Sequence, residues 1–229
     1  MKNILLLHGA LGAAAQFDLL KEKLKANFNV FTLNFEGHGT SGNSNRDFSI
    51  EQFAENLNQF LQEHSDKSFL IFGYSMGGFV ALYAASFQSQ NISGIITLGT
   101  KFYWDEATAQ REIKLLDPEK IKTKVPAFAA QLQSLHPAGF ETVLKKSAAM
   151  MLQLGKQNPL TGERLQQIKI PVKILLGEND NMVTQAKTLH AFHQIPNAQY
   201  QLLPNTQHPI DKVNVELLAR LINYFIEKN

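Results

Sequence analysis

Gly73-Tyr74-Ser75-Met76-Gly77 carries the spacing G-x-S-x-G. A serine framed this way can attack an acyl carbonyl when a strand runs into it and a helix leaves it, the arrangement called a nucleophile elbow. Both flanks are present: Phe69 to Phe72 is a short apolar run that reads as a buried strand, and Phe79 to Ala85 has the apolar spacing of a buried helix. A strand that turns straight into a helix forces the central residue into a strained backbone conformation. Glycines two positions to either side remove the side chains that would collide there. Ser75 Oγ is thereby raised at the mouth of the sheet. The N–H of Met76, at the start of the helix, then points to where negative charge would build on the attacked oxygen, and the positive helix end adds to it. The bland alternative is a glycine-rich turn with an idle serine.

A second string, His8-Gly9-Ala10-Leu11-Gly12, follows the apolar run Ile4 to Leu7 and precedes a helical stretch from about Ala14 to Ala26. Its glycines let the loop fold back so that a main-chain N–H faces Ser75, that of Ala10 in preference to Leu11. His8 stands before the donor and reads as a residue that holds the loop. His38, between Gly37 and Gly39, reads as a packing and hydrogen-bonding histidine in a turn.

These motifs need a scaffold, and the composition bounds it. A chain of 229 residues that is 44% hydrophobic can bury one sizeable core and is short for two. Lysine and arginine number 22 against 20 acidic residues, so no charge excess points to nucleic acid or a membrane surface. There is no cysteine, which removes disulfides, thiolate metal sites and a cysteine nucleophile. The apolar run before His8 is too short for a signal peptide or a membrane span, so a soluble, unexported, cytoplasmic protein is expected. Neither H-E-x-x-H nor G-x-x-x-x-G-K occurs, and no His, Asp and Glu residues have metal-site spacing; neither metal nor cofactor is expected.

Buried-strand runs at Ile4 to Leu7, Asn29 to Asn34, Phe69 to Phe72 and Ile92 to Leu98 alternate with helical patterns, including Ile50 to Glu63 behind a Ser49/Gln52 capping box. That alternation predicts a parallel sheet covered on both faces. From Lys101 to Lys169 strands stop and helical runs follow one another: Asp105 to Leu116, one opened by Asp117-Pro118, one after Pro137 and a short one near Glu163. This stretch holds eleven of the 22 basic residues against seven acidic ones, +4 locally, which suits either a solvated helical face or a mild preference for anionic substrates. Phe102, Tyr103, Trp104, Met150 and Met151 could wall an apolar pocket, or simply pack the core. Strands resume at Val172 to Leu176 and Gln199 to Leu203, with helices from Thr184 to His193 and Val215 to Glu227.

With HGALG, GYSMGG, GENDNMV and NTQHP, the sequence resembles the α/β-hydrolase superfamily over Ile4 to Leu98 and Ile170 to the C-terminus, and within it small lidded enzymes similar to bacterial carboxylesterases and menaquinone-pathway synthases. The resemblance implies a mostly parallel six-stranded sheet with helices on both faces, residues 1–100 and 170–229 as the core, and 101–169 as an inserted helical lid. It implies Asp180, on the loop after the strand that follows the lid, as the acid of a Ser-His-Asp triad with Ser75, and His208, between the last strand and last helix, as its base. Glu178 and Asp105 are the competing acids. Leu11, Trp104, His136 and Val183 are the expected substrate contacts. The family pattern often has Asp and Arg where this chain has Asn34 and Glu36, and the synthases carry an arginine where it has Phe79. The resemblance thus implies a cofactor-free hydrolase of a small carboxylic ester; the sequence leaves the oligomeric state open, with a monomer slightly favoured. C–C bond hydrolase, synthase, thioesterase and perhydrolase chemistries on the same triad remain as alternatives, as does a non-catalytic small-molecule receptor.

Overall fold

Six segments pair side by side into one all-parallel sheet in a computed structural model that describes residues 1–87 and 91–228. They are β1 (Lys2–Leu7), β2 (Phe28–Leu33), β3 (Phe69–Tyr74), β4 (Ile92–Leu98), β5 (Val172–Gly177) and β6 (Ala198–Leu203), in the spatial order β2-β1-β3-β4-β5-β6. The central strands β3 and β5 are buried at every residue, whereas β2 and β6, at the edges, are only partly so. That difference explains why β3 reads as a continuous apolar run, and β5 as one broken only at Lys173, with helices covering both faces.

Alternation along β1 divides the core in two. Leu5 and Leu7 point to one face, where they join Phe53 and Leu57 of α2 (Ile50–Glu63) and Val80 and Ala81 of α3 (Met76–Ala85). Ile4 and Leu6 point to the other, where they meet Leu20 of α1 (Asp18–Leu24) and Ile222 and Phe225 of the C-terminal helix, Val215–Lys228. The stretch expected to be helical from Ala14 begins as a 3-10 turn, Ala14–Phe17, before α1. Ser49 caps α2 by accepting the Gln52 N–H at 3.0 Å, but the Gln52 amide turns to Ser44 Oγ, so only half of the capping box forms.

Between β4 and β5 come α4 (Glu106–Ile113), α5 (Pro118–Lys124), α6 (Pro126–Leu135), α7 (Phe140–Lys156) and α8 (Gly162–Gln166). The helix opened by Asp117-Pro118 ends at Lys124, because Pro126 has no N–H to donate and starts a new helix, α6, instead. α7 begins only after Gly139, whose φ of +127° lies outside helical space. α4 and α7 cross closely at Gly155, where a Cβ would lie 2.6 Å from that of Ala109. After β5 come α9 (Gln185–Phe192), β6 and, following a 3-10 turn at Ile210–Lys212, α10 (Val215–Lys228).

Candidate active site

Ser75 occupies the sharp turn between β3 and α3 with φ +50° and ψ −114°, a conformation that side chains rarely adopt. Its N–H donates to the Leu98 carbonyl at 2.8 Å, and its own carbonyl accepts from Gly78 N–H and from Thr100 Oγ1 at 3.0 Å. The neighbouring strand β4 and its loop therefore pin the turn from both sides. A Cβ on Gly73 would lie 2.4 Å from Gly78, and one on Gly77 2.3 Å from the Leu7 carbonyl, which is why the pattern needs glycine at both places. Met76 opens α3, so its N–H belongs to the first turn, where N–H groups have no intrahelical acceptor.

Asp180 lies on the loop after β5. Its Oδ1 accepts the N–H groups of Met182 and Val183 at 2.8 and 2.9 Å, and its Oδ2 lies 2.7 Å from His208 Nδ1. The carboxylate is thus held from both sides, and its side chain is 2% exposed against 8% for His208. Because a carboxylate only accepts, His208 carries its proton on Nδ1 and leaves Nε2 as an acceptor. The Tyr74 phenol donates to the His208 carbonyl at 3.0 Å, fixing the loop that bears the ring. Gly99, at φ +62°, passes so close that a Cβ would sit 3.2 Å from both Asp180 Oδ2 and the His208 ring. Sequence reasoning did not single out Tyr74, Gly99 or Thr100, although a glycine directly after a buried strand was a signal for Gly99.

The competing residues are engaged elsewhere. Glu178 Oε2 accepts the Asn205 N–H, and Asp105 caps α4 by accepting the Thr108 N–H at 2.7 Å. His38 is buried, stacked on Phe48 at 4.8 Å, with its pKa lowered by burial and by the neighbouring His8. His8 is buried as well, and burial pulls its pKa down to about 4. It donates from Nδ1 to the Gly9 carbonyl at 2.8 Å and accepts the Phe35 N–H on Nε2 at 3.1 Å. Asn34 accepts the Ala14 N–H and donates to Thr40, while Glu36 pairs with Arg46 and Ser44, which holds its carboxyl low, at about 2. These contacts tie Asn34 and Glu36 into a local network on either side of Phe35.

A cavity of about 480 Å³ opens over Ser75. Ala10, Leu11, Met76, Trp104, Val183 and His208 line it, as do Met150 and Met151. Asp180 stands behind His208. Phe102 instead packs into the core, and Tyr103 is exposed beneath Lys187. His136 is a correction to the expected contacts, for it is not a lining residue: its Nδ1 accepts the Gly39 N–H and its Nε2 reaches the Leu11 carbonyl, both at 2.9 Å. The opposite wall comes from Leu115 and Leu116 after α4 and from Phe128, Leu132 and Leu135 of α6. The α6 trio recurs at helical spacing, so its common face was readable but its destination was not.

The positive excess of residues 101–169 does not reach this cavity. Of its eleven basic residues only Lys101 is part of the wall, and it is paired with Glu112 at 2.5 Å and lies over the Trp104 ring. Burial lowers the Lys101 pKa, and Glu112 opposes that shift. Trp104 is oriented by its Nε1–H, which donates to the Lys101 carbonyl. Among the described residues no group of three or more His, Asp and Glu could hold a metal ion, and no helix is long and apolar enough to cross a membrane.

Comparison with known proteins agrees with this architecture. The chain is 24% identical to pimeloyl-[acyl-carrier protein] methyl ester esterase of Aliivibrio fischeri, covering 96% of this chain and 91% of that one. It is 23% identical to monoacylglycerol lipase ABHD6 of Bos taurus, over 98% of this chain and 75% of the relative. The solved structure of MenH from S. aureus superposes with a TM-score of 0.75 at 25% identity, covering 99% and 94% of the two chains. The family described as alpha/beta hydrolase fold matches residues 2–136, well over half of the sequence, and the protein belongs to that family.

Proposed function

We propose that this α/β-hydrolase enzyme cleaves small carboxylic esters through Ser75, His208 and Asp180. The observation that carries the reading is the 2.7 Å contact between Asp180 and His208 Nδ1, which leaves Nε2 as the acceptor of an imidazole that lines the same cavity as a serine in a strained turn. His208 Nε2 takes the proton as Ser75 Oγ attacks the ester carbonyl. The N–H groups of Ala10 and Met76 hold the oxyanion, and Asp180 stabilises the imidazolium. His208 then protonates the departing alkoxide, leaving an acyl-serine. Water enters, gives a proton to His208, and releases the acid by the same route. No cofactor enters these steps.

Helices α4–α8 act as the lid in this reading. They supply the wall of Leu115, Phe128 and Leu132 and exclude water from the oxyanion. The mostly apolar lining, with its one lid cation neutralised by Glu112, suits an uncharged acyl group of short to medium length. The names of the Aliivibrio esterase and the bovine lipase both describe ester cleavage, which accords with this choice. The deciding experiment is hydrolysis of p-nitrophenyl esters of increasing acyl length by the wild type and Ser75→Ala. Turnover that vanishes in Ser75→Ala is expected; turnover equal in both, or absent from the wild type on every ester, sinks the reading.

A further inference from the structure

The loop that carries Ala10 is held by histidines from two different parts of the chain. Gly9 C=O and Ala10 N–H are opposite ends of one planar peptide, so whatever grips that carbonyl also aims the N–H. His8 Nδ1 and the Gly12 N–H grip it, at 2.8 and 3.1 Å. The next residue, Leu11, has φ +60°, a left-handed conformation unfavourable for a leucine that persists only with fixed partners. Its carbonyl accepts from His136 Nε2 at 2.9 Å.

His136 lies in the link between α6 and α7 and is 2% exposed. Because Nδ1 accepts the Gly39 N–H, the ring proton sits on Nε2 and is directed to Leu11. The ring meets His38 edge-on at 5.7 Å, and His38 lies 5.1 Å from His8, so three rings connect the α6–α7 link to both grips on the loop. The Leu11 side chain packs in the cluster of Ile121, Leu132, Phe140 and Leu144, which belongs to the same helices. Backbone and side chain of Leu11 are therefore both clamped by residues 118–156.

We propose that His136 is a positioning residue for the oxyanion loop, tying the seating of the helices between β4 and β5 to the aim of the Ala10 N–H. The inference rests on the ester-hydrolase reading, because it assigns Ala10 to the oxyanion. It predicts that losing the His136 contacts costs transition-state stabilisation while leaving ground-state binding in place.

The test compares wild type, His136→Leu, His136→Asn, His136→Gln and Lys146→Met on p-nitrophenyl butyrate, with butylboronic acid as an inhibitor that forms a tetrahedral adduct on serine. His136→Leu should lower kcat roughly 10- to 100-fold with KM within about twofold, and weaken the boronate by a similar factor. A glutamine amide can both accept from Gly39 and donate to Leu11, so His136→Gln should return to within about threefold of wild type. Asparagine is too short to span both partners and should stay low. Lys146→Met removes another tie between α7 and the 44–46 loop, formed by Lys146 Nζ with the carbonyls of Ser44 and Arg46, and should leave kcat unchanged. Wild-type kcat in His136→Leu, or an equal loss in Lys146→Met, overturns the proposal. Should His136→Leu fail to fold, equal kcat in the Asn and Gln variants overturns it instead. A wild type inert to every ester removes the hydrolase reading and this inference together, whereas an active wild type with an indifferent His136→Leu removes only the inference.

Discussion

The phenol of Tyr74 reaches across the sheet to the main-chain carbonyl of His208 at 3.0 Å, so the residue before Ser75 holds the loop that carries the His208 ring. Their rings lie 5.5 Å apart, and burial raises the Tyr74 pKa, keeping the phenol a donor. Tyr74→Phe keeps the ring and removes the donor. A buried carbonyl left without its partner costs about 1–3 kcal/mol, and kcat should fall about 3- to 10-fold as the His208 loop loosens. Thermal unfolding together with ester kinetics checks this; an unchanged kcat would mean that other contacts suffice to hold the loop.

Asp180→Asn tests the proposed acid. The amide can still accept N–H groups from residues 182 and 183, so the fold should survive, but it favours the wrong imidazole tautomer. The expected loss in kcat is about 1,000- to 10,000-fold. A comparable loss in Glu178→Gln, with Asp180→Asn active, would move the acid.

Gly99→Ala places a methyl 3.2 Å from the His208 ring at φ +62°. The backbone strain should cost about 1–2 kcal/mol, a fall in Tm of about 2–8 °C for a chain of this size. Displacement of the imidazole should add roughly a tenfold loss in kcat at temperatures where the variant is fully folded. A loss of stability with full activity would show that His208 has room to adjust.

Trp104→Ala removes a wall residue of the cavity. A wall contact binds ground and transition states alike, so KM should rise with kcat nearly constant, most clearly for the longer acyl groups that reach the ring. Because Glu112 neutralises the one lysine that residues 101–169 place in the wall, the rise should be the same at low and high salt; a salt-dependent KM would give the charge of the helices a role after all.

Stability should fall on the acid side. Burial holds His8 from its ordinary 6.5 down to about 4 in the folded chain, and lowers His38 and His136 as well. Below pH 6.5 the unfolded chain therefore binds protons that the folded chain refuses. The neutral-ring contribution is full above that pH and is lost as the pH drops from 6.5 towards 4, by roughly 3 kcal/mol for His8 alone. Urea midpoints between pH 7.5 and 4.5 measure it. His136→Gln should flatten the slope, and an unaltered slope would assign it to other groups.

The strands and the serine turn were legible because their signals are local. Phe69 to Phe72 is a short apolar run stopped by Gly73, and the collisions that exclude side chains at Gly73 and Gly77 lie within a few residues or on the adjoining strand. Asp180 and His208 carry no such signature. Their loops were located only through resemblance to a family, because the 2.7 Å contact joins residues from different strand ends. His136 shows the limit most clearly: a histidine in the string Ser-Leu-His-Pro reads the same whether its partner is a substrate or two backbone groups 97 and 125 residues away. Leu115 and Phe128 escaped notice for a related reason, since helical periodicity identifies an apolar face but not what it confronts.

The strand order has a consequence for biosynthesis. The first half of the chain supplies β1 to β4, the Ala10 loop and the Ser75 turn. Asp180 and His208 arrive only with β5 and β6, which add successively to the far edge after the five helices. Ser75 and the groups that pin its turn, the Leu98 carbonyl and the Thr100 hydroxyl, are therefore made well before His208. On the ester-hydrolase reading, a chain that ends before β6 is inert, for it lacks His208, and one face of its sheet is still bare of Ile222 and Phe225 of α10.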